Sequence, residues 1–327
     1  MTRKPARAKP RRKAAPVVVV AFGGNAMIAD GERGEPEEQV ANARAACGPL
    51  VKLLRRGHRL LLVHGNGPQV GRELLRAHVA HQEPLAPLDA CVAATQGTMG
   101  YFLELALRAE LQARRVDVPV TSVVTLAVVD EDDPAFAAPS KPVGEYVDAD
   151  EAQQLEESEG WRFADQGPRG WRRVVPSPRP REVVDARAVH ALLAARHVVI
   201  AGGGGGVPVV REPDGSLRGV EAVIDKDFTA ALLGRRVGAT ELWDLTNVDY
   251  VYRDFASADR APLRRLTVSD ARAHAAQGAF APGTMGPKVE SACGFLESGG
   301  QSVLITSMAR LAEALEGRVG TRLVRDP

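Results

Sequence analysis

Short apolar runs bounded by glycine alternate along this chain with longer segments whose apolar positions recur every three to four residues. The runs are Val17–Phe22, Arg59–Val63, Val118–Val129, His197–Ala201, Ala222–Ile224, Thr240–Leu245 and Ser302–Ile305. Continuous β-branched and leucine runs of this length predict strands buried on both faces. Between them, the helical period predicts helices over Glu37–Arg56, Pro68–His81, Leu88–Arg114, Asp185–Ala195, Asp227–Arg236, Pro287–Glu297 and Ala309–Leu315. Such alternation builds a mainly parallel α/β sheet, whose ligands sit at the carboxyl ends of the strands.

Three places depart from the pattern. Gly48-Pro49 interrupts a clean helical period, which predicts a kink or two shorter helices with Pro49 in the first turn of the second. Asp244 sits in a strand that is otherwise apolar, so it either reaches a strand end or is a satisfied buried carboxylate. Residues 131–180 hold two of the three tryptophans, many prolines and one short acidic helical stretch. They are too long for a simple loop and poorly patterned for the sheet, and predict a small protruding subdomain with its own aromatic cluster.

Composition narrows the class of protein. At 327 residues, 45% hydrophobic and 25% charged, the chain suits one large domain or two lobes. The formal charge is +1, but residues 1–16 carry seven basic side chains and no acid, leaving 35 basic against 41 acidic residues in the remainder. The first sixteen residues therefore read as a disordered basic arm, and any nucleic-acid binding would rest on that arm alone. Cys47, Cys91 and Cys293 form no CxxC pair, which suits free buried thiols and a cytoplasmic protein. No run approaches the roughly 18 apolar residues of a membrane span.

Lysine usage carries the first chemical signal. Only seven of the 42 basic residues are lysines; Lys4, Lys9 and Lys13 lie in the arm and Lys52 on a helix face. Lys141, Lys226 and Lys288 remain, each in a motif punctuated by glycine or proline. A compact ammonium is not interchangeable with a planar guanidinium, so in a chain that otherwise uses arginine these three read as chemically required.

Four glycine-bearing turns are expected to follow strands: Gly23-Gly24-Asn25, His64 to Pro68, Gly202 to Gly206, and Gly283 to Lys288. Amide-lined turns feeding helix N-termini bind anions, and four in one sheet favour an extended polyanion. Neither GxxxxGK(S/T) nor GxGxxG occurs, which disfavours a P-loop enzyme and a dinucleotide oxidoreductase. Phosphoryl transfer needs amides and ammonium groups around the phosphates more than covalent chemistry. Asp227 is placed either to orient the lysines or to N-cap the following helix. Pro287, at a predicted helix start beside Lys288, fits an anion-binding N-terminus. His64 reads as structural, since no GxSxG or HExxH accompanies it. Asn25 and Asn66 suit hydrogen bonds to a small planar substrate.

AFGGNAM at Ala21–Met27, LLVHGNGPQVG at Leu61–Gly71, TQGTMGYFL at Thr95–Leu103, DPAFAAPSKPVG at Asp133–Gly144, PRGWRRVVPSPRP at Pro168–Pro180, AGGGGGVPV at Ala201–Val209, GVEAVIDKDFTAALL at Gly219–Leu233 and FAPGTMGPKVE at Phe280–Glu290 together resemble the carbamate kinases. The resemblance runs from about Val17 to the C-terminus. It implies a single domain over residues 17–327: an open three-layer α/β/α sandwich, with a protruding subdomain at about 131–180 and a nucleotide-side lobe at about 207–327. It further implies a homodimer and reversible phosphoryl transfer between ATP and carbamate, giving ADP and carbamoyl phosphate, in arginine or other nitrogen catabolism. Mg²⁺ would be held mainly by ATP phosphates, with no direct protein ligand.

By resemblance, Gly23, Gly24, Asn25, Gly65, Asn66 and Gly67 surround the substrate. Lys226 and Lys288 stabilise the transferring group, Asp227 orients them, and the protruding subdomain brings Lys141 over the substrate. Gly203, Gly204, Gly205, Thr246, Tyr252 and Met285 fall on the nucleotide side. Trp243-Asp244 replaces an apolar pair, Gly48-Pro49 breaks a family helix, and the arm is extra. The alternatives are a related kinase for another small carboxylate or phosphonate, a non-catalytic sensor of nucleotide or carbamoyl phosphate, and a nucleic-acid partner acting through the arm.

Overall fold

Val17–Phe22, with all six residues buried, lies inside an eight-stranded sheet in the computed structural model. The structure describes residues 15–23, 27–28, 32–79, 86–253, 255, 260–281 and 283–327, with backbone only for 77–79. Residues 1–14 of the basic arm, Gly24 and Asn25 lie outside the described residues. From one edge the strand order is Arg265–Thr267, Thr321–Val324, Ser302–Ser307, Glu241–Thr246, Val17–Phe22, Arg59–His64, Val198–Ile200 and Val120–Ser122. The last six run parallel, and Thr321–Val324 is antiparallel to its neighbour Ser302–Ser307.

Alternate residues of the central strand feed two cores, because successive side chains point to opposite faces. Val17, Val19 and Ala21 pack with Leu233 of helix Lys226–Val237 and Phe295 of helix Met285–Glu297. Val18, Val20 and Phe22 pack with Cys47 and Leu50 of helix Pro36–Arg55 and Leu103 of helix Leu88–Ala113. Helices thus cover both faces of the sheet, giving an open three-layer α/β/α sandwich.

Of the kink or the two shorter helices expected at Gly48-Pro49, the split does not occur: Pro36–Arg55 is one helix of 20 residues. Pro49 forfeits its own backbone hydrogen bond, but Ala43, Ala46, Cys47, Leu50, Val51 and Leu53 form one unbroken buried stripe across it. Tertiary packing of that stripe outweighs the local cost. The run Val118–Val129 divides instead, into Val120–Ser122 in the main sheet and Leu126–Val129 in a second, four-stranded sheet. Gln96 enforces the division. Its side-chain oxygen accepts from the Thr125 backbone N–H at 3.0 Å, and its amide donates to the Thr125 carbonyl at 3.1 Å.

Ala222–Ile224 is buried but is not a strand. Its Val223 N–H donates to the Pro176 carbonyl at 2.9 Å, making the run a packed connector into the helix that starts at Lys226. The turn at Gly283–Gly286 follows helix Val268–Ala276 rather than a strand. Helix Met285–Glu297 has begun before Pro287, which is third in it. The first-turn amides of a helix have no intrahelical partner, so proline is tolerated there.

Lys141–Val147, Trp171–Val175 and Phe163–Asp165 form a separate three-stranded antiparallel sheet. It carries the acidic helix Ala149–Glu159, capped by Asp148 at its start and by left-handed Gly160 at its end. The aromatic side chains of this sheet meet guanidinium groups: Arg173 stands 3.9 Å from the centre of the Trp161 ring, and Arg169 and Arg172 lie over Tyr146.

Candidate active site

A cavity of about 490 Å³ opens at the carboxyl ends of the main-sheet strands. Gly23 ends one strand at its wall, Gly65 to Pro68 follow another, and Leu245 to Val248 close a third. The opposite wall comes from the three-stranded sheet, through Lys141, Pro142, Tyr146 and Arg172. Gly204, Thr246, Tyr252 and Met285 line the same cavity as Lys226, Asp227 and Lys288. Gly203 and Gly205 sit behind the wall, packed against His64 and Ile224 respectively.

Helix Lys226–Val237 sets the charged floor. Its N-cap is Asp225, in extended conformation, whose carboxylate accepts from the Asp227 N–H at 3.0 Å. Capping is thus done by Asp225, and the Asp227 carboxylate is turned to the lysines instead. Asp227 accepts from Lys226 Nζ through one oxygen and from Lys288 Nζ at 3.1 Å through the other. Lys141 Nζ donates to Asp225. The three lysines scattered in sequence thus converge on one cavity.

Asp244 completes the group. It accepts from Lys288 Nζ at 2.8 and 3.1 Å and lies 3.9 Å from Lys226 Nζ. Relative exposures of 8% for Lys226, 4% for Asp227 and 3% for Asp244 place the cluster out of water. Burial works against the Asp227 carboxylate, but the ammoniums of Lys226 and Lys288 outweigh it and hold its pKa below the ordinary value. Burial and the adjacent Asp227 charge instead push Asp244 up. Burial opposes the Lys288 ammonium, yet Asp227 and Asp244 keep its pKa above the usual value. Three ammoniums and three carboxylates balance. The arrangement holds fixed positive charge beside a cavity, which suits an incoming polyanion.

Asp225, Asp244 and Arg172 were not identified as site residues from sequence. Asp225 had a signal, an aspartate ahead of a helix-forming run. Asp244 was visible as an oddity in an apolar strand, but its partner Lys288 lies in a different element.

Asn66 is buried, and its amide donates to Thr95 Oγ1 at 2.9 Å. The Gly202–Gly206 turn comes this close only because it lacks side chains: a β-carbon on Gly204, at φ +61°, would lie 2.3 Å from Asn66 Nδ2. His64 is buried beside the turn, its Nδ1 3.2 Å from the Gly65 carbonyl. Burial lowers its pKa from 6.5 to about 4, the Gly65 hydrogen bond working weakly the other way. A neutral, enclosed imidazole supports the structural reading. Below pH 6.5 the unfolded chain binds a proton that the folded protein refuses until about pH 4, so stability falls as pH drops through that window. The loss should reach about 3 kcal/mol, read as a falling urea midpoint, and His64→Gln should flatten that part of the profile. Equal slopes for both proteins would show that His64 does not titrate this way.

Residues 16–307 match the amino acid kinase family. The chain belongs to that family. It is 42% identical over 313 residues to the carbamate kinase of Thermococcus kodakarensis, spanning 94% of this chain and 99% of that protein. It is 40% identical over 312 residues to the carbamate kinase of Staphylococcus epidermidis, with 94% and 99% covered. The structure of carbamate kinase from Giardia lamblia bound to AMP-PNP superposes with a TM-score of 0.86 at 36% identity, over 96% of this chain and 99% of that one. N-acetylglutamate synthase from Neisseria gonorrhoeae, at 17% identity and a TM-score of 0.57, shares the fold alone.

Among the described residues no helix is long and apolar enough to cross a membrane, and no group of three or more His, Cys, Asp or Glu side chains is arranged to hold a metal ion.

Proposed function

We propose that the chain is a carbamate kinase, interconverting ATP and carbamate with ADP and carbamoyl phosphate. The observation that carries this reading is the convergence of Lys141, Lys226 and Lys288 on one cavity, in a chain about 40% identical to carbamate kinases along nearly its whole length. Carbamate is already an oxyanion, so its attack on the γ-phosphorus needs no general base. A bond forms between a carbamate oxygen and phosphorus as the bond to the ADP oxygen breaks, and ADP leaves with that electron pair. The protein has to bring two anions together and neutralise the transferring group.

Lys226 and Lys288 take the equatorial oxygens of that group, and Asp227 holds both ammoniums in place. Lys141, carried by the three-stranded sheet, reaches the same group from the opposite wall. Gly23, Gly65, Asn66 and Gly67 border the carbamate side, with Gly24 and Asn25 assigned there by resemblance. Gly204, Thr246, Tyr252 and Met285 border the nucleotide side, with Gly203 and Gly205 supporting the turn.

Asp225, Asp227 and Asp244 are each engaged by an ammonium, so the site fits Mg²⁺ carried in on the nucleotide phosphates, where it would offset their charge. The same reading includes a basic arm at 1–16 outside one domain at 17–327, a homodimer, a cytoplasmic location and a role in nitrogen catabolism.

Acceptor choice tests the reading against a related kinase for another small carboxylate. With ADP and Mg²⁺, ATP formation from carbamoyl phosphate should exceed that from acetyl phosphate by about tenfold or more in kcat/KM. A preference for acetyl phosphate would reassign the substrate.

A further inference from the structure

Lys288 Nζ has three N–H bonds: one meets Asp227 at 3.1 Å, and one is shared between the two oxygens of Asp244 at 2.8 and 3.1 Å, which stand too close together to take an N–H each. A phosphoryl oxygen that meets the third N–H brings its negative charge beside both carboxylates. Asp227 is held from two sides, by Lys226 as well as Lys288. Asp244 meets only Lys288 at hydrogen-bond distance, with Lys226 Nζ as a longer ion pair at 3.9 Å. Asp244 is therefore the carboxylate whose charge is less fully met.

We propose that Asp244 is a positioning residue, a built-in counter-ion that holds Lys288 and is neutralised when the phosphoryl group arrives, coupling phosphoryl binding to proton uptake at the Asp244 carboxyl. The identity of the phosphoryl group rests on the carbamate kinase reading; the proton coupling does not. Once the phosphoryl charge draws on Lys288, this carboxylate is left with little compensation. It is 3% exposed on strand Glu241–Thr246, and its register partners on the flanking strands are Ala21 and Ile305, neither of them charged. The charged groups facing it are Lys226 and Asp227 from helix Lys226–Val237 and Lys288 from helix Met285–Glu297. Asp225 and Lys141 pair with each other one step further out. A poorly compensated buried carboxylate beside Asp227 and an arriving phosphate neutralises rather than stays ionised. Burial and Asp227 already raise its pKa, which brings protonation within reach.

The test is calorimetry of AMP-PNP with Mg²⁺ binding to the full chain, in two buffers of different ionisation enthalpy, for the wild-type protein and Asp244→Asn. The wild-type protein should take up more protons than the variant, by up to about one per site. The variant, freed of the competing charge, should bind roughly three- to tenfold more tightly. Its KM for carbamoyl phosphate should lose the rise with pH shown by the wild-type protein. Should Asp244→Asn fail to fold, Asp244→Leu suits the apolar strand and gives the same readout.

Equal proton uptake and equal affinity overturn the proposal, even if the variant is less stable, because a merely structural carboxylate would change stability alone. Wild-type protein that binds AMP-PNP with the proton difference but makes no ATP from carbamoyl phosphate would overturn the assigned reaction and leave the role of Asp244 standing.

Discussion

Lys226→Met should lower kcat for ATP formation from carbamoyl phosphate about 10³-fold, with a much smaller change in KM. Methionine keeps the bulk of the side chain and removes its charge. The ammonium of Lys226 sits 8% exposed at the first position of helix Lys226–Val237, where Asp225 caps the helix and Asp227 fixes the ammonium. Fixed charge in a site closed to water stabilises a transferring phosphoryl group without reorganisation, which is why its removal falls mainly on turnover. Asp227 retains Lys288, so the variant should lose only about 1–2 kcal/mol of stability and remain folded. A coupled assay beside a urea titration separates the two effects. A variant of reduced stability but wild-type turnover would remove Lys226 from the chemistry.

Gly71→Ala should lower kcat/KM about 10²-fold although residue 71 lies outside the cavity wall. Gly71 is in helix Gly67–Val79, and a β-carbon there would fall 1.9 Å from the Gly144 Cα and 2.2 Å from its nitrogen. These are backbone atoms of strand Lys141–Val147, so no side-chain rotation relieves the overlap. The strand has to retreat, taking Lys141 away from Asp225 and from the cavity. Such overpacking costs about 1–3 kcal/mol of stability in addition. If the damage passes through Lys141, adding Gly71→Ala to Lys141→Met should cost little further activity. Additive losses would show a different route.

The layer order and the lysine cluster were legible in the sequence for different reasons. Val17–Phe22 has the same limits as run and as strand, because a fully buried parallel strand is a continuous apolar stretch bounded by glycine. Lys141, Lys226 and Lys288 stood out because arginine serves elsewhere. Their convergence depends on three elements meeting, which no local pattern encodes.

The misreadings share a cause. Val118–Val129 looked like one run, and what divides it is a hydrogen-bonded clamp from Gln96 in a distant helix. Pro49 looked like a break, and what bridges it is a buried stripe whose partners lie in the sheet and in helix Leu88–Ala113. Asp244 is the satisfied buried carboxylate that its place in an apolar strand allowed for, but its counter-ion Lys288 had no local signal, because a helix brings it there only in the folded chain. Gly203 and Gly205 were assigned with Gly204 because a glycine run does not reveal which member faces a ligand.

ATP formation from ADP, Mg²⁺ and carbamoyl phosphate by the full chain, set beside Lys288→Met, is the most direct measurement of phosphoryl transfer by converging ammoniums. The account predicts ready ATP formation by the wild-type protein and a loss of about 10²–10³-fold in the variant. A wild-type protein that makes no ATP, or a Lys288→Met variant that matches it, would contradict the account.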